Sequence, residues 1–197
     1  MWSYSTLVAD VVAQFEPVIS DPESRELAWV PVDEVDEYPL HPGFAAAWPQ
    51  LRALLAVHPA VVVDAANVVG SVPDGWWKDR AGATARLLQG LRARAREGTD
   101  AAELALPADT WFPTFTVVVE GQAREVAADP GADAGAGAGV EVVRAPGSGD
   151  DAIVAETARL VDAGRTVTVV TSDRELAARV TALGATVRGA GWLRNLR

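Results

Sequence analysis

The chain of 197 residues contains no cysteine. Disulfides, thiol catalysis and cysteine-ligated zinc are excluded. It has a single lysine, Lys78, against sixteen arginines, a bias that reads as genomic base composition. Histidine is scarce too. His41 precedes a proline and reads as a turn residue, and neither it nor His58 has a sequence neighbour that suggests a metal site. Positive charge is short overall, with 17 basic against 27 acidic residues and a net charge of −10. Proteins that grip a long polyanion are usually basic, so an extended nucleic-acid-binding surface is not expected. No run of about 18 apolar residues exists, which excludes a membrane-spanning helix. The first residues, MWSYSTLVADVV, lack the basic stretch and small-residue cleavage site of a signal peptide. A cytoplasmic protein without a membrane partner is expected.

What is present is enough for a core. Hydrophobic residues make up 49%, charged residues 22%, and there are seven tryptophans. That composition excludes wholesale disorder. The charge is unevenly spread. Residues 1–58 hold nine acids and two arginines, and residues 59–197 hold eighteen acids and fifteen bases. The chain reads as two segments divided there.

In the first segment, residues 4–13, 15–20 and 26–32 are β-prone and predict strands. Pro31 suggests an edge. An acidic turn or short helix follows over residues 33–38, and a helix over residues 44–56 with Pro49 inside it. The second segment alternates strands and helices. Strands are predicted over residues 60–64, 114–119, 140–143, 165–171 and 185–188, and helices over 80–96, 150–163 and 173–183. Residues 65–79 and the low-complexity run 127–139 read as loops. This order predicts an α/β fold, with a mostly parallel central sheet flanked by helices, preceded by a small α+β segment.

Acids stand where parallel strands end, and ligands bind outside such ends. Asp64 closes the apolar run AVVVD. Asp150 and Asp151 open a helix after APGSG. Asp173 follows the strand ending TVVTS. Clustered carboxylates repel and persist with cations or raised pKa values. Oxygen-only ligands suit Mg²⁺ or Mn²⁺, and the natural chemistry is metal-assisted phosphodiester hydrolysis. Each acid also has a purely structural reading. Asp64 can cap a turn, one of Asp150 and Asp151 can be an N-cap, and Asp173 with Ser172 can cap the last helix. Asn67 can shape a turn or orient a phosphate oxygen.

Asp-x-x-Asn at Asp64 and Asn67, the doublet Asp150-Asp151 and the Thr-Ser-Asp ending at Asp173 together resemble the NYN branch of the PIN-like ribonucleases, over residues 59–197. The resemblance implies a Rossmann-type sheet and RNA as substrate. It implies Mg²⁺ or Mn²⁺ held by Asp64, Asp150, Asp151 and Asp173, with Asn67 and Ser172 positioning water or phosphate. Many members carry a further glutamate in a middle helix, for which neither Glu103 nor Glu120 is a clear match. Beside Asp64, Trp76 and Trp77 can stack on bases and Lys78 and Arg80 can meet phosphates. The reading that at least one tryptophan closes the core under the loop carries more weight.

Residues 3–56, with YSTLVADVVA and ESRELAWVPVDEVDEYPLHPGFAAAWPQLRALL, resemble the C-terminal half of a Nudix hydrolase. The Nudix box is missing, so an independent Nudix enzyme is not expected there. A half-sheet has unpaired edges, which favours a homodimer through this segment. Three functions follow. The first is a metal-dependent ribonuclease acting on RNA through a local patch. The second is a nucleoside triphosphate pyrophosphohydrolase. The third is a catalytically degenerate partner-binding module.

Overall fold

The computed structural model describes residues 5–11, 13–71, 79–121, 123 and 139–196. The predicted tryptophan pair Trp76 and Trp77, Lys78, and residues 127–138 of the low-complexity run lie outside the described residues. The chain divides into two compact units, Met1–Val57 and His58–Arg197. Among the described residues no helix is long and apolar enough to cross a membrane.

In the first unit the described residues of 5–33 form no strand, where the sequence predicts three. Strands are stable when a neighbour takes their N–H and C=O groups and a second layer covers one face. Neither condition is met here: Leu7, Phe15, Val18, Leu27 and Trp29 are all exposed. The local order is a T-shaped contact between Phe15 and Trp29, with ring centroids 5.3 Å apart. A 3-10 turn, Val35–Glu37, agrees with the acidic turn. Helix α1, Pro42–Leu54, begins two residues earlier than predicted. His41 Nδ1 accepts the Gly43 N–H at 3.2 Å, and Pro42 occupies the first helical position, where a missing N–H costs nothing. His41 is thus a helix cap.

The second unit is built on the apolar strand β1, Pro59–Asp64, buried along its whole length. The chain continues through α2, Ala65–Gly70; α3, Arg80–Glu97; the two-residue strand β2, Thr99–Asp100; and α4, Ala101–Leu104. Then come β3, Thr110–Trp111; β4, Thr114–Val119; β5, Val140–Arg144; α5, Gly149–Asp162; β6, Thr166–Val170; α6, Arg174–Thr181; and β7, Thr186–Arg188. A 3-10 segment, Ala190–Leu196, follows. The five long strands form one parallel sheet in the order β5-β4-β1-β6-β7. β2 and β3 form a separate antiparallel pair. This is an α/β fold with a parallel sheet between helical layers.

Strand alternation builds the two layers. Val61, Val63, Phe115, Val117 and Val119 face one core with Leu87, Leu88 and Leu91 of α3. Ala60, Val62, Val118, Val167 and Val169 face the other, with Ile153 and Leu160 of α5 and Leu176 and Val180 of α6. From central β1 the chain moves outward through β4 and β5, then returns to the opposite side of β1 for β6 and β7. That reversal is the switch point of a doubly wound sheet, where a crevice opens at the carboxyl ends of the strands.

Two local departures from the sequence reading matter here. The predicted loop after Asp64 begins instead as α2, because Asp64 itself caps it. The cap of α5 is Ser148, whose side chain accepts the Asp151 N–H, so neither aspartate of the doublet is spent on capping.

Glu103 is a latch in the fold. Its carboxylate pairs with Arg94 and accepts Trp192 Nε1–H at 2.6 Å. Its carbonyl accepts Arg188 Nε–H at 3.0 Å, and the Arg94 guanidinium lies 4.9 Å from the Trp192 ring centre. Three elements meet on one short helix. Glu103→Ala leaves the indole N–H and a largely buried guanidinium without this acceptor. It should cost about 1–2 kcal/mol, read as a lower urea midpoint with an unchanged slope.

Candidate active site

Asp64 is held at the end of β1 by bonds that come from two directions. Its Oδ1 accepts the Asn67 N–H at 3.0 Å, closing the first turn of α2. Its Oδ2 accepts the Thr171 hydroxyl at 2.9 Å, from beyond the end of β6. Thr171 Oγ1 in turn accepts the Asp173 N–H at 3.2 Å. One buried hydroxyl therefore ties two of the acids. Asn67 Oδ1 accepts the Ser172 N–H at 3.0 Å, and Ser172 Oγ accepts the Ala190 N–H at 3.0 Å. Asn67 and Ser172 thus stitch α2, the β6–α6 turn and the C-terminal 3-10 segment together.

Around this frame a cavity of about 270 Å³ opens at the carboxyl edge of the sheet. Asp64, Asn67, Glu120, Asp150 and Asp173 all line it. Glu120 follows β4, the neighbour of β1, and its Oε2 accepts the Gly149 N–H at 2.8 Å, at the start of α5. Asp173 caps α6 through Oδ1, which accepts the Leu176 N–H at 2.9 Å. Its capping reading and its place at the cavity are both realised. Asp151 is turned away: its Oδ1 pairs with Arg179 Nη2 at 2.6 Å, and it is absent from the cavity lining. The expected role of Asp151 as a metal ligand therefore lacks this geometry.

The electrostatics follow from burial and repulsion. Asp64 is only 7% exposed. Desolvation raises its pKa above the ordinary 3.8, the Asn67 and Thr171 bonds oppose that, and the charges of Asp150 and Glu120 add to it. Asp150 is also raised, first by desolvation and then by Asp173 and Glu120, against the pull of Arg179. The charged forms of these acids are thus disfavoured in the bare protein.

Do these donors fit a divalent cation? They are all oxygen, they carry mutual repulsion that a cation relieves, and they face one solvent-open cavity. Among the described residues no group of three or more carboxylates or histidines stands in a ready ligand cluster. The arrangement suits a hydrated ion that touches one or two carboxylates directly and reaches the others through water, as Mg²⁺ does. Asp64 with Asp150 or Asp173 would hold it.

Of the residues expected at the site, the structure brings Asp64, Asn67, Asp150 and Asp173 to this cavity, together with Glu120, which sequence reasoning weighed and did not match, and it sets Thr171, which sequence reasoning did not name, behind Asp64. The signal for Glu120 was available: it ends the buried run TFTVVV as Asp64 ends AVVVD. Arg80, expected to meet phosphates, lines a separate smaller cavity beside this one.

The chain matches no protein-family model. Over 63 residues it is 44% identical to a protein described as putative 8-oxo-dGTP diphosphatase 3, in each of two strains of Mycobacterium tuberculosis. The match takes in 32% of this chain and 29% of that protein, so the chain spans under a third of the length of these curated relatives. Among solved structures it is similar to a mutant form of Rae1 (YacP) from Bacillus subtilis. The identity is 18% and the TM-score 0.49, over 70% of this chain and 74% of that one.

Proposed function

We propose that the second unit is a metal-dependent phosphodiesterase of the PIN-like type acting on RNA. The observation that supports this reading best is the convergence of Asp64, Glu120, Asp150 and Asp173 on one open cavity at the switch point of the sheet. Structural acids usually find a cation in the protein. Among the described residues lining this cavity there is none.

Bound there, Mg²⁺ or Mn²⁺ supplies an acidified water and neutralises charge on the phosphate oxygens. The protein's part is placement. Thr171 and the Asn67 N–H fix both oxygens of Asp64, so its carboxylate cannot rotate away when substrate arrives. Glu120, fixed by the Gly149 N–H, is a further part of the wall. Asp150 and Asp173 line the same cavity and would share the cation and the phosphate with Asp64. RNA fits as substrate because a local, cation-assisted patch can meet a short or structured RNA despite the net charge of −10. The pyrophosphohydrolase reading lacks the metal-binding box in residues 1–58.

The test is cleavage of short, labelled RNAs across an Mn²⁺ titration. Wild type should cut, and EDTA should stop it. Asp150→Asn should lower kcat/KM by on the order of 100-fold or more, since a lost supporting group alone costs 10–100-fold in metal sites. Cutting that persists unchanged in EDTA would sink the proposal.

A further inference from the structure

A second cavity, of about 120 Å³, adjoins the carboxylate cavity and shares Ala66 and Glu120 with it. We infer that it is a nucleobase subsite, which receives the base of a nucleotide whose phosphate lies over the carboxylates. The inference rests on the reading above.

The lining has two chemical characters. Ala66, Val69 and Ala123 offer apolar surface, which matches the faces of a purine or pyrimidine ring. Arg80, Thr84 and Glu120 offer polar edges. Arginine only donates and the Thr84 hydroxyl oxygen can accept, so together they meet the mixed donor and acceptor edge that every base carries. Thr84 is 2% exposed, and its hydroxyl donates to the Arg80 carbonyl at 2.9 Å. That bond fixes the first turn of α3 where it forms one wall. Glu120 stands in both cavities, so a ligand that fills both passes its sugar across that carboxylate. A nucleotide has this shape, with a charged end and a flat, half-apolar end one sugar apart. An inorganic or sugar phosphate fills the first cavity alone.

The experiment is calorimetric titration of the full chain in Mn²⁺ with three probes: ribose 5-phosphate, adenosine 5′-monophosphate and uridine 5′-monophosphate. The nucleotides should bind about tenfold more tightly than the sugar phosphate. Ala123→Phe, which fills the second cavity from its partly exposed side, should reduce that advantage to under twofold. Binding of ribose 5-phosphate should be unchanged. Val69→Ala, which widens the same cavity, serves as a second variant and should lower the advantage without removing it. Equal affinity for all three probes in wild type overturns the inference, as does an advantage that survives Ala123→Phe. Nucleotide binding without ribose 5-phosphate binding supports the base subsite and overturns the phosphate site instead. Binding of none of the three overturns both.

Discussion

Replacing Asp64 by asparagine should make the metal-free protein more stable at pH 7 and leave it without any gain in stability from Mn²⁺. The first half follows from burial. Desolvation is the largest influence on this carboxylate, and it outweighs the two hydrogen bonds that favour the charge. Asparagine keeps the shape and the Asn67 N–H bond, and its amide can meet Thr171 Oγ1 with donor and acceptor exchanged, so that the Thr171 hydroxyl must turn to another acceptor. The unfavourable charge is removed. A stabilisation of about 1 kcal/mol moves Tm by roughly 2–4 °C in a chain of this size, which a thermal scan in EDTA resolves.

The same raised pKa sets the sign of the pH dependence. The folded-state pKa lies above the unfolded value, so the folded protein binds the extra proton. The associated stability is fully present below the unfolded value of 3.8 and is lost as pH rises through the folded pKa. The advantage of Asp64→Asn should therefore be largest near pH 7 and shrink as pH falls toward 4. The second half follows from mass action. A cation at a concentration of 100 Kd stabilises by about 2.7 kcal/mol, and without the central carboxylate Kd should rise by on the order of 100-fold or more. A variant less stable than wild type at pH 7 in EDTA would show that Asp64 is a structural cap and no more.

The legible part of the molecule is the part governed by local pattern. Val61 to Val63 read as a buried strand because nothing polar interrupts them, α3 read from its apolar spacing, and α5 and α6 read from the glycines that end them. Asp64, Asp150 and Asp173 read as a site because strand ends in a parallel sheet converge. What did not read depends on partners distant in sequence. Thr171 and Asp64 are 107 positions apart, and no spacing rule links them. Asp150 and Asp151 differ only by a helical step of 100°, which sends one to the cavity and the other to Arg179. A doublet alone does not reveal which goes where. Glu120 was obscured for another reason. A glutamate was sought in a middle helix, and Glu103 in α4 is a fold latch, whereas Glu120 follows a strand. The strands expected in residues 4–32 have the right residues, but β-propensity describes a fit to a neighbouring surface. Among the described residues of the first unit no strand supplies that surface.

Gly149→Ala should separate the site from the fold. A Cβ at position 149 would lie 2.5 Å from Glu120 Oε2 and 3.0 Å from its Cδ. Those contacts are too close, so one partner must move. The backbone does not resist the alanine, because Gly149 is not among the glycines with positive φ. It opens α5, and alanine there reduces the freedom of the unfolded chain, worth about 0.4–1 kcal/mol in favour of folding. The group that yields is the end of the flexible Glu120 side chain, which swings off the Gly149 N–H and out of its place in the cavity wall. Stability should therefore stay within about 1 kcal/mol of wild type. Mn²⁺-dependent RNA cleavage should fall by about tenfold or more, in the range that loss of a supporting group causes at metal sites. Glu120→Gln retains an acceptor for the Gly149 N–H and removes the charge, so it tests the carboxylate itself. If both variants lose cleavage at wild-type stability, Glu120 belongs to the reacting surface. If Gly149→Ala cleaves RNA as wild type does, the fixed position of Glu120 is dispensable. The work would then fall to Asp64, Asp150 and Asp173, the three acids that the strand ends bring together without it.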